Sequence, residues 1–322
     1  MVDPLVSVIM PVRNEESFIE RSLGAVLAQD YPADRIEVLI ADGMSDDRTR
    51  EIVRALDVDH RVTILDNPAR IQSAGMNQAI EAAKGDILIR VDGHTIIAPD
   101  YVRECVSALA ETGAQNVGGP MNPVGITPMG KAIAAAGKSS FAVPSAFHVS
   151  QKAQFTDTVY MGAWPKSLFA TVKGYDEALV INEDYELNVR IRKAGGKLYF
   201  TPKIQSQYYG RQTLGALAKQ YYRYGIGKTE TLRLHPGSLR PRQLVAPAFV
   251  VGLIGGAVLS LISVWFFALW LLGIAAYLAL ALIFTIKAAG TRDLGLLWRM
   301  PLVFATIHLS WGVGFWVGLL RG

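Results

Sequence analysis

The chain has 322 residues, 51% of them hydrophobic, and a formal net charge of +4. This length allows a large domain plus a further segment, and the mean hydropathy of +0.25 is high for a purely soluble enzyme. The single cysteine, Cys105, excludes an intrachain disulfide framework and a cysteine metal site, which fits a reducing compartment. The amino-terminal residues lack the basic and long apolar regions of a signal peptide, so we expect none.

Short apolar runs alternate with amphipathic stretches over the first 92 residues. We predict strands at 5–12, 36–43, 62–65 and 86–92, and helices at 15–29, 46–56 and 71–83. Continuous apolar strands separated by helices are typical of a parallel sheet that is covered on both faces. The sequence therefore predicts an α/β fold, in which ligands bind beyond the carboxyl ends of the strands.

The pattern loosens after residue 116, where glycine and proline indicate loops. We predict a helix within 130–147, a helix at 182–197 that Gly195 and Gly196 close, and a last strand at 198–202. Residues 213–236 then lead towards the apolar end of the chain. Residues 220–228 are a weak match to a basic, aromatic nucleic-acid site, so we expect no nucleic-acid partner.

The carboxyl-terminal segment is apolar enough to enter a membrane. No Asp, Glu, Lys or Arg occurs from Leu244 to Ile286, a stretch twice as long as one spanning helix needs. We therefore predict spans at 244–263 and 265–286 and a third at 301–320; buried core helices are the alternative.

Basic residues flank these spans and orient them by the positive-inside rule. They precede the first span at Arg233, Arg240 and Arg242, and they separate the second and third at Lys287, Arg292 and Arg299. This places the amino-terminal two-thirds of the chain in the cytoplasm and the carboxyl terminus outside. Arg321, beyond the third span, is one charge against this topology.

Polar residues follow three of the predicted strands, at Arg13–Glu15, Asp42–Gly43 and Asp92–His94. We expect these three strand ends to converge on one cleft. Asp42 ends the second strand, where acids of nucleotide-binding folds hold a ribose or a base; a simple turn before Gly43 is the alternative. Asp92 and His94 flank a glycine after the fourth strand, and this pair suits Mn²⁺ or Mg²⁺ beside phosphate oxygens; an ordinary turn is again the alternative. The first strand lacks a G-x-G-x-x-G segment after it, which disfavours a dehydrogenase.

Two acids, Glu183 and Asp184, begin the predicted helix at 182–197. Acids are favoured there by the helix dipole alone. The functional alternative is a general base that accepts a proton from an attacking hydroxyl.

Five segments, taken together and in this order, resemble family 2 glycosyltransferases of the GT-A fold. They are "VSVIMPVRNEESFIERSLGAVLAQDYP" with its P-x-x-N-E pattern, "VLIADGMSDDRTREIV", "RVDGH" in the place of the D-x-D motif, "GYDEALVINEDYELNVRIRKAG" and "QYYRY" as a degraded Q-x-x-R-W. The resemblance covers roughly residues 5–230. It implies a nucleotide-diphospho-sugar transferase fold with a Rossmann-like, mostly parallel sheet, followed here by three transmembrane helices.

The resemblance also implies a hexosyltransferase that uses a UDP-sugar donor, inverts the anomeric carbon and needs a divalent metal, Mn²⁺ or Mg²⁺. It implies Asp184 as the base beside Glu183, and Asp92 and His94 at the metal. For the nucleotide it implies Pro11, Arg13, Asn14, Glu15, Asp42, Ser45, Arg70, Gln72 and Asn77. At the acceptor or diphosphate it implies Gln220, Arg223 and Tyr224, and we add Trp164 as a stacking surface for the acceptor.

Two departures from the family pattern bear on function. His94 replaces the second acid of D-x-D, a variant similar to the succinoglycan-type branch that extends a lipid-linked sugar. Tyr224 replaces the tryptophan of Q-x-x-R-W, which is associated with processive synthases. We therefore favour a single addition to a lipid-linked or polyprenyl acceptor; a polyprenyl-phosphate glycosyltransferase, a processive synthase and a non-catalytic membrane scaffold are the rivals.

The predicted organisation has three parts: a cytoplasmic transferase domain at 1–232, a basic linker at 233–243 and a membrane domain at 244–322. The protein is expected in the cytoplasmic (inner) membrane as a multi-pass protein. Basic residues near the first span either hold a lipid phosphate or only set the topology; these residues are Lys228, Arg233, Arg240 and Arg242.

Overall fold

The computed structural model of the protein describes residues 3–143, 150–289 and 294–321. The chain divides into two units, Met1–Asn122 with Ser145–Tyr208, and Pro123–Pro144 with Tyr209–Gly322. This division differs from the predicted boundary at residue 232, because residues 209–232 group with the apolar helices. Arg292 and part of the helix predicted within 130–147 lie outside the described residues.

Four parallel strands form one half of the main sheet in the first unit. They are β1 (Val6–Val12), β2 (Ile36–Asp42), β3 (Val62–Asp66) and β4 (Ile87–Arg90), in the order β3-β2-β1-β4. The side chains of β1 and β2 are almost all buried because helices cover both faces of the sheet. The predicted α/β fold with a parallel sheet is confirmed.

The other half of the main sheet is mixed. Its strands follow β4 in the order β9 (Ala163–Pro165), β6 (Asn116–Gly118), β10 (Leu198–Phe200) and β8 (Gln154–Thr156), with β9 antiparallel to both neighbours. A small second sheet has the order β5-β11-β7, formed by β5 (Thr95–Ile97), β11 (Ser206–Tyr209) and β7 (Met121–Val124). Of the strands in this half of the main sheet, β10 matches the strand predicted at 198–202, whereas the other three-residue strands carry too little periodic signal for prediction.

Four helices of the first unit lie close to their predicted positions, namely α1 (Ile19–Leu27), α2 (Thr49–Leu56), α3 (Gln72–Ala82) and α7 (Glu183–Lys193). The bounds of the other two, α4 (Tyr101–Thr112) and α6 (Leu168–Val172), were not predicted. Two apolar clusters fill the unit, and β1 contributes Val8 to one and Ile9 to the other. Alternation along one strand thus builds both layers of the core.

The second unit is helical in the part that the structure describes. Its helices are α5 (Pro128–Gly137), α8 (Leu214–Leu234), α9 (Val245–Ser260), α10 (Val264–Ala289) and α11 (Leu294–Leu320). The last three are each long and apolar enough to cross a membrane, which confirms the prediction of three apolar helices. Helix α11 begins seven residues earlier than predicted and continues through Pro301.

An aromatic cluster joins three segments of this unit. His308 Nδ1 lies 2.9 Å from Tyr277 Oη, and His308 Nε2 lies 2.8 Å from the carbonyl oxygen of Phe141. Phe141 also stacks on Phe284 of α10 and contacts Phe304 of α11 edge-on. The segment that follows α5 is therefore fixed to both α10 and α11.

We expect Leu88→Ala to destabilise the protein strongly. Leu88 is completely buried on β4, and truncating such a leucine costs about 2–5 kcal/mol because the cavity refills only in part. The measurement is the midpoint of thermal unfolding in detergent, with Val58→Ala, at a side chain that is 80% exposed, as the matched control. Equal midpoints for the two variants would contradict the central position of β4.

Candidate active site

Loops after β1, β2 and β4 meet at the carboxyl edge of the parallel strands. The backbone N–H of Asn14 donates to Ser45 Oγ over 2.9 Å, which joins the loop after β1 to the loop after β2. His94 Nδ1 lies 2.8 Å from Glu15 Oε1, which joins the loop after β1 to the loop after β4. The sequence-based expectation that these strand ends converge is met.

Asp42 is completely buried at the end of β2. Ser45 Oγ donates to Asp42 Oδ1 over 2.5 Å, and Arg50 Nε donates to Asp42 Oδ2 over 2.6 Å. Arg50 also pairs with Asp66 at the end of β3. The carboxylate of Asp42 thus holds the loop after β2 through Ser45 and helix α2 through Arg50. The predicted contact between Asp42 and a nucleobase stays a prediction.

Several site residues adopt left-handed backbone conformations. They are Asn14, Met44, Arg70 and Asn182, with φ values of 55°, 56°, 60° and 63°. Such conformations are uncommon for residues other than glycine and cluster at functional sites. They occur here after β1, after β2, before α3 and before α7. Each of these turns therefore contains a residue in the left-handed conformation.

Arg90 and Asp92 form the central ion pair of the site. Arg90 is 6% exposed at the end of β4, and its Nε donates to Asp92 Oδ1 over 2.7 Å. Arg90 Nη1 lies 3.8 Å from Glu183 Oε1 at the start of α7. A buried guanidinium therefore joins the end of β4 to the start of α7.

Glu183 is a buried acid with an altered proton affinity. Burial, followed by the nearby charge of Asp184, raises the pKa of Glu183 to about 7, although the Arg90 cation opposes the shift. Asp184 is more exposed, and its Oδ1 accepts a hydrogen bond from the N–H of Tyr185 over 2.7 Å. Against the effect of burial, the negative charges of Asp92, Glu183 and Asp184 all raise the pKa of Arg90. The acids predicted from separate motifs therefore lie near one cation.

Aromatic side chains border His94. Its ring packs edge-on against Tyr208 at a centroid distance of 5.3 Å. Tyr160 contacts Tyr208 and shares a 2.9 Å hydrogen bond with Thr95 Oγ1. Tyr160 and Tyr208 were not predicted from the sequence, because Tyr160 lies in a loop, Tyr208 lies on the short strand β11, and neither belongs to a motif.

The other residues predicted to line the nucleotide site take different positions. Pro11 lies on β1, Arg13 is exposed next to Gly43, and Arg70 and Gln72 are exposed at the start of α3. Asn77 instead accepts a hydrogen bond from Tyr175 N over 2.7 Å and donates to Glu177 Oε1 over 2.7 Å. Asn77 thus ties α3 to the loop before α7.

Two further expectations concern the acceptor side. Trp164 is 1% exposed and packs inside the apolar core, so an acceptor sugar stacked on it does not fit the structure. Gln220, Arg223 and Tyr224 lie on α8 in the second unit, where Gln220 Nε2 donates to Tyr224 Oη over 2.8 Å. Their role stays a prediction.

A metal could be held here only in part by the protein. Within 3–143, 150–289 and 294–321, no three His, Cys, Asp or Glu side chains form a metal-binding group. Mg²⁺ is commonly held by one or two carboxylates plus substrate phosphates. Asp92 and His94 therefore stay candidate ligands of an ion that arrives with a diphosphate.

Two residues of this site were not singled out from the sequence. Arg50 looks like one of several arginines on an exposed helix, whereas it bridges Asp42 and Asp66. Arg90 had a usable signal, since it is the charged residue within the apolar run Ile87–Arg90. Buried cations require partners, so that strand predicts acids nearby.

The chain is similar to known proteins over most of its length. The model of glycosyl transferase family 2 matches residues 7–129, and that of glycosyl transferase family group 2 matches residues 87–317. The succinoglycan biosynthesis protein ExoA of Rhizobium meliloti is 34% identical over 97% of this chain and 94% of its own. A dolichyl N-acetyl-alpha-D-glucosaminyl phosphate 3-beta-D-2,3-diacetamido-2,3-dideoxy-beta-D-glucuronosyltransferase of Methanococcus voltae is 26% identical over 98% of both chains.

Solved structures share the fold. The mannosyltransferase PcManGT from Pyrobaculum calidifontis, in complex with GDP-Man and Mn²⁺, matches with a TM-score of 0.60 and 18% identity over 96% of this chain and 87% of that chain. TarS of S. aureus matches with a TM-score of 0.53 and 13% identity over 99% of this chain and 92% of that chain. The predicted GT-A fold, the likeness to the succinoglycan-type branch and the hexosyltransferase class are confirmed. The chain belongs to glycosyl transferase family 2.

Proposed function

We propose that the protein transfers a hexose from a UDP-sugar to a lipid-linked acceptor with inversion, using Asp184 as the general base. The observation that carries this proposal is the acid cluster around Arg90, where Asp92 and the Glu183–Asp184 pair meet at the carboxyl edge of the sheet. Transfer from a sugar diphosphate needs charge stabilisation at the leaving group and a proton acceptor at the nucleophile. In this proposal Asp92 serves the leaving group and Asp184 accepts the proton of the nucleophile.

Each chain residue has a distinct task in this reaction. Asp184, the more exposed acid, takes the proton of the acceptor hydroxyl as that oxygen attacks the anomeric carbon. Glu183 and Arg90 stay buried and fix the start of α7 against the end of β4. Asn14 and Ser45 hold the loops that border the nucleoside.

A divalent ion, Mn²⁺ or Mg²⁺, would be held by Asp92 and His94 together with the donor diphosphate. It would neutralise the negative charge that builds on the departing UDP. Glu15 supports this role because its carboxylate fixes the imidazole orientation through His94 Nδ1, as carboxylates do for metal-binding histidines. The Mn²⁺ complex of the mannosyltransferase PcManGT is consistent with such an ion.

The lipid-linked acceptor is supported by the relatives and by the apolar helices. The Methanococcus voltae relative is named for a dolichyl-linked sugar phosphate acceptor, and ExoA is named for succinoglycan biosynthesis. Three helices suited to a membrane would keep the enzyme where such acceptors lie. We place the transferase unit on the cytoplasmic side of the inner membrane, where nucleotide sugars are made.

The basic residues expected to hold a lipid phosphate are not equivalent. Lys228 is 3% exposed, and its Nζ donates to the carbonyl and hydroxyl oxygens of Ser238 over 3.1 and 3.2 Å. Arg233 donates to the carbonyl oxygen of Gly318. A phosphate-holding role for Lys228 does not fit these contacts.

We expect Asp184→Asn to lower the transfer rate about 10²–10⁴-fold, because the amide cannot accept the hydroxyl proton. Binding of UDP should persist. Transfer is measured with labelled donor and a lipid extract, and nucleotide binding by calorimetry with a UDP, GDP and ADP panel. The control is Asp34→Asn, at a side chain that is 82% exposed. Full turnover in Asp184→Asn would refute the base and favour the rival whose nucleophile is a phosphate.

We expect His94→Ala to raise the Mn²⁺ concentration for half-maximal activity at least about tenfold, since one of two protein ligands is lost. Electron paramagnetic resonance of Mn²⁺ with UDP gives a second reading that does not depend on turnover. The matched control is His60→Ala, at an exposed histidine. An unchanged response to Mn²⁺ would exclude His94 as a ligand.

We expect Glu183→Gln to stabilise the protein more at pH 8 than at pH 5. A raised pKa means that folding favours protonated Glu183, so this contribution is complete below pH 4.5 and is lost as the pH rises through about 7. Asp184, Asp92, Arg90 and Tyr175 are the groups that face it. The difference in unfolding midpoint from wild type, followed from pH 5 to 8, checks this; a pH-independent difference contradicts it. Glu51→Gln, at an exposed acid, is the control.

A further inference from the structure

Helix α11 differs from the other two apolar helices in what surrounds it. In its most apolar window 39% of the residues are buried, against 11% for the segment containing α9 and 6% for α10. Length and composition allow all three helices to cross a membrane. The contacts of α11 with its neighbouring helices indicate its position relative to the membrane.

The carboxyl-terminal half of α11 packs along α8. A methyl group on Gly314 would collide with the backbone of Tyr222, and one on Gly318 would collide with Ile226 and Thr229. Arg233, near the end of α8, donates to the carbonyl oxygen of Gly318 over 2.5 Å. Glycines spaced four apart thus bring the two helix backbones into direct contact.

The same half of α11 also contacts the first turns of α9. A methyl group on Gly312 would meet Ala246, and Trp316 Nε1 donates to the carbonyl oxygen of Pro247 over 3.0 Å. The end of α11 therefore lies at the level where α9 begins. Arg240 and Arg242 immediately precede α9.

A bundle of three antiparallel spans would give different contacts. It would place the end of α11 beside the beginning of α10, since both would lie at the far side of the membrane. Instead Trp270 of α10 contacts Leu253 and Gly256 of α9, and Trp265 is 77% exposed. Helix α10 meets α11 further along, where Tyr277 bonds His308.

Helix α8 cannot lie within the hydrocarbon core. It carries five charged residues in 21, namely Lys219, Arg223, Lys228, Glu230 and Arg233. Charged side chains are costly inside a bilayer. Because α8 and α11 touch through their backbones, α11 stays at the depth of α8, which is the membrane surface.

We propose that α9 and α10 form a hairpin that crosses the bilayer, whereas α11 lies with α8 at the surface and binds the lipid interface through its outer face. The carboxyl terminus is then on the same side of the membrane as the start of α9. The outer face of α11 is apolar and exposed; its residues are Trp298, Leu302, Leu309, Val313 and Leu319. Arg299 packs over the ring of Trp298 at 4.4 Å, a pair typical of an interface.

This arrangement also accounts for the charges. Arg321 at the end of α11 now lies on the side that carries Arg240, Arg242 and Lys287. The positive-inside rule then holds at every described boundary of the hairpin. The turn between α9 and α10, which contains Leu261, is uncharged.

Single cysteines test the proposal in sealed membrane vesicles of both orientations. The wild-type chain is the blank, because its cysteine, Cys105, is buried. Leu261→Cys reports the hairpin turn, Arg321→Cys the carboxyl terminus and Ala216→Cys the exposed start of α8. A membrane-impermeant maleimide should label Arg321→Cys and Ala216→Cys in one orientation and Leu261→Cys in the other.

Labelling of Arg321→Cys together with Leu261→Cys would overturn the proposal, because α11 would then cross the bilayer. A fluorescent protein or alkaline phosphatase fused after residue 322 gives an independent reading. Fluorescence with inactive phosphatase is expected; active phosphatase overturns the proposal. Both readings are independent of transferase activity.

Discussion

The site depends on one buried cation. Arg90 ends a strand whose other residues are apolar, and a guanidinium in that position requires acids around it. Asp92 and Glu183 meet this requirement from two elements that are about ninety residues apart in sequence. The cation therefore fixes the position of Asp92, the proposed metal ligand, relative to Glu183, the neighbour of the proposed base.

Burial divides the neighbouring acids into two kinds. Glu183 is desolvated and has a raised pKa, whereas Asp184 is more exposed. A second permanent negative charge beside Asp184, the proposed base, would oppose the approach of a sugar diphosphate. A neighbour that is protonated over part of the physiological range weakens that repulsion, while Arg90 limits the shift. The Glu183–Asp184 pair is thus held in place by Arg90 and carries less than two full negative charges.

The sequence predicted the parallel half of the sheet because β1, β2, β3 and β4 are continuous apolar runs between amphipathic helices. It did not predict the mixed half, since strands such as β6 and β9 have three residues and their pairing is set by tertiary contacts. The motifs singled out Asp92 and Glu183, which the structure brings to Arg90. They did not show that Asp42 is enclosed by Ser45 and Arg50, or that Trp164 belongs to the core, because burial is a property of the packed fold.

The contact of His308 in the second unit has a chemical consequence. A carbonyl oxygen only accepts, so in the neutral ring Nε2 carries the hydrogen towards Phe141, and Nδ1 accepts from the Tyr277 hydroxyl. These two hydrogen bonds join three chain segments, carry no net charge and are surrounded by aromatic rings. Salt weakens contacts between exposed charges, but it should leave these uncharged hydrogen bonds intact. The helical unit should therefore keep its internal packing at salt concentrations that release basic residues from lipid head groups.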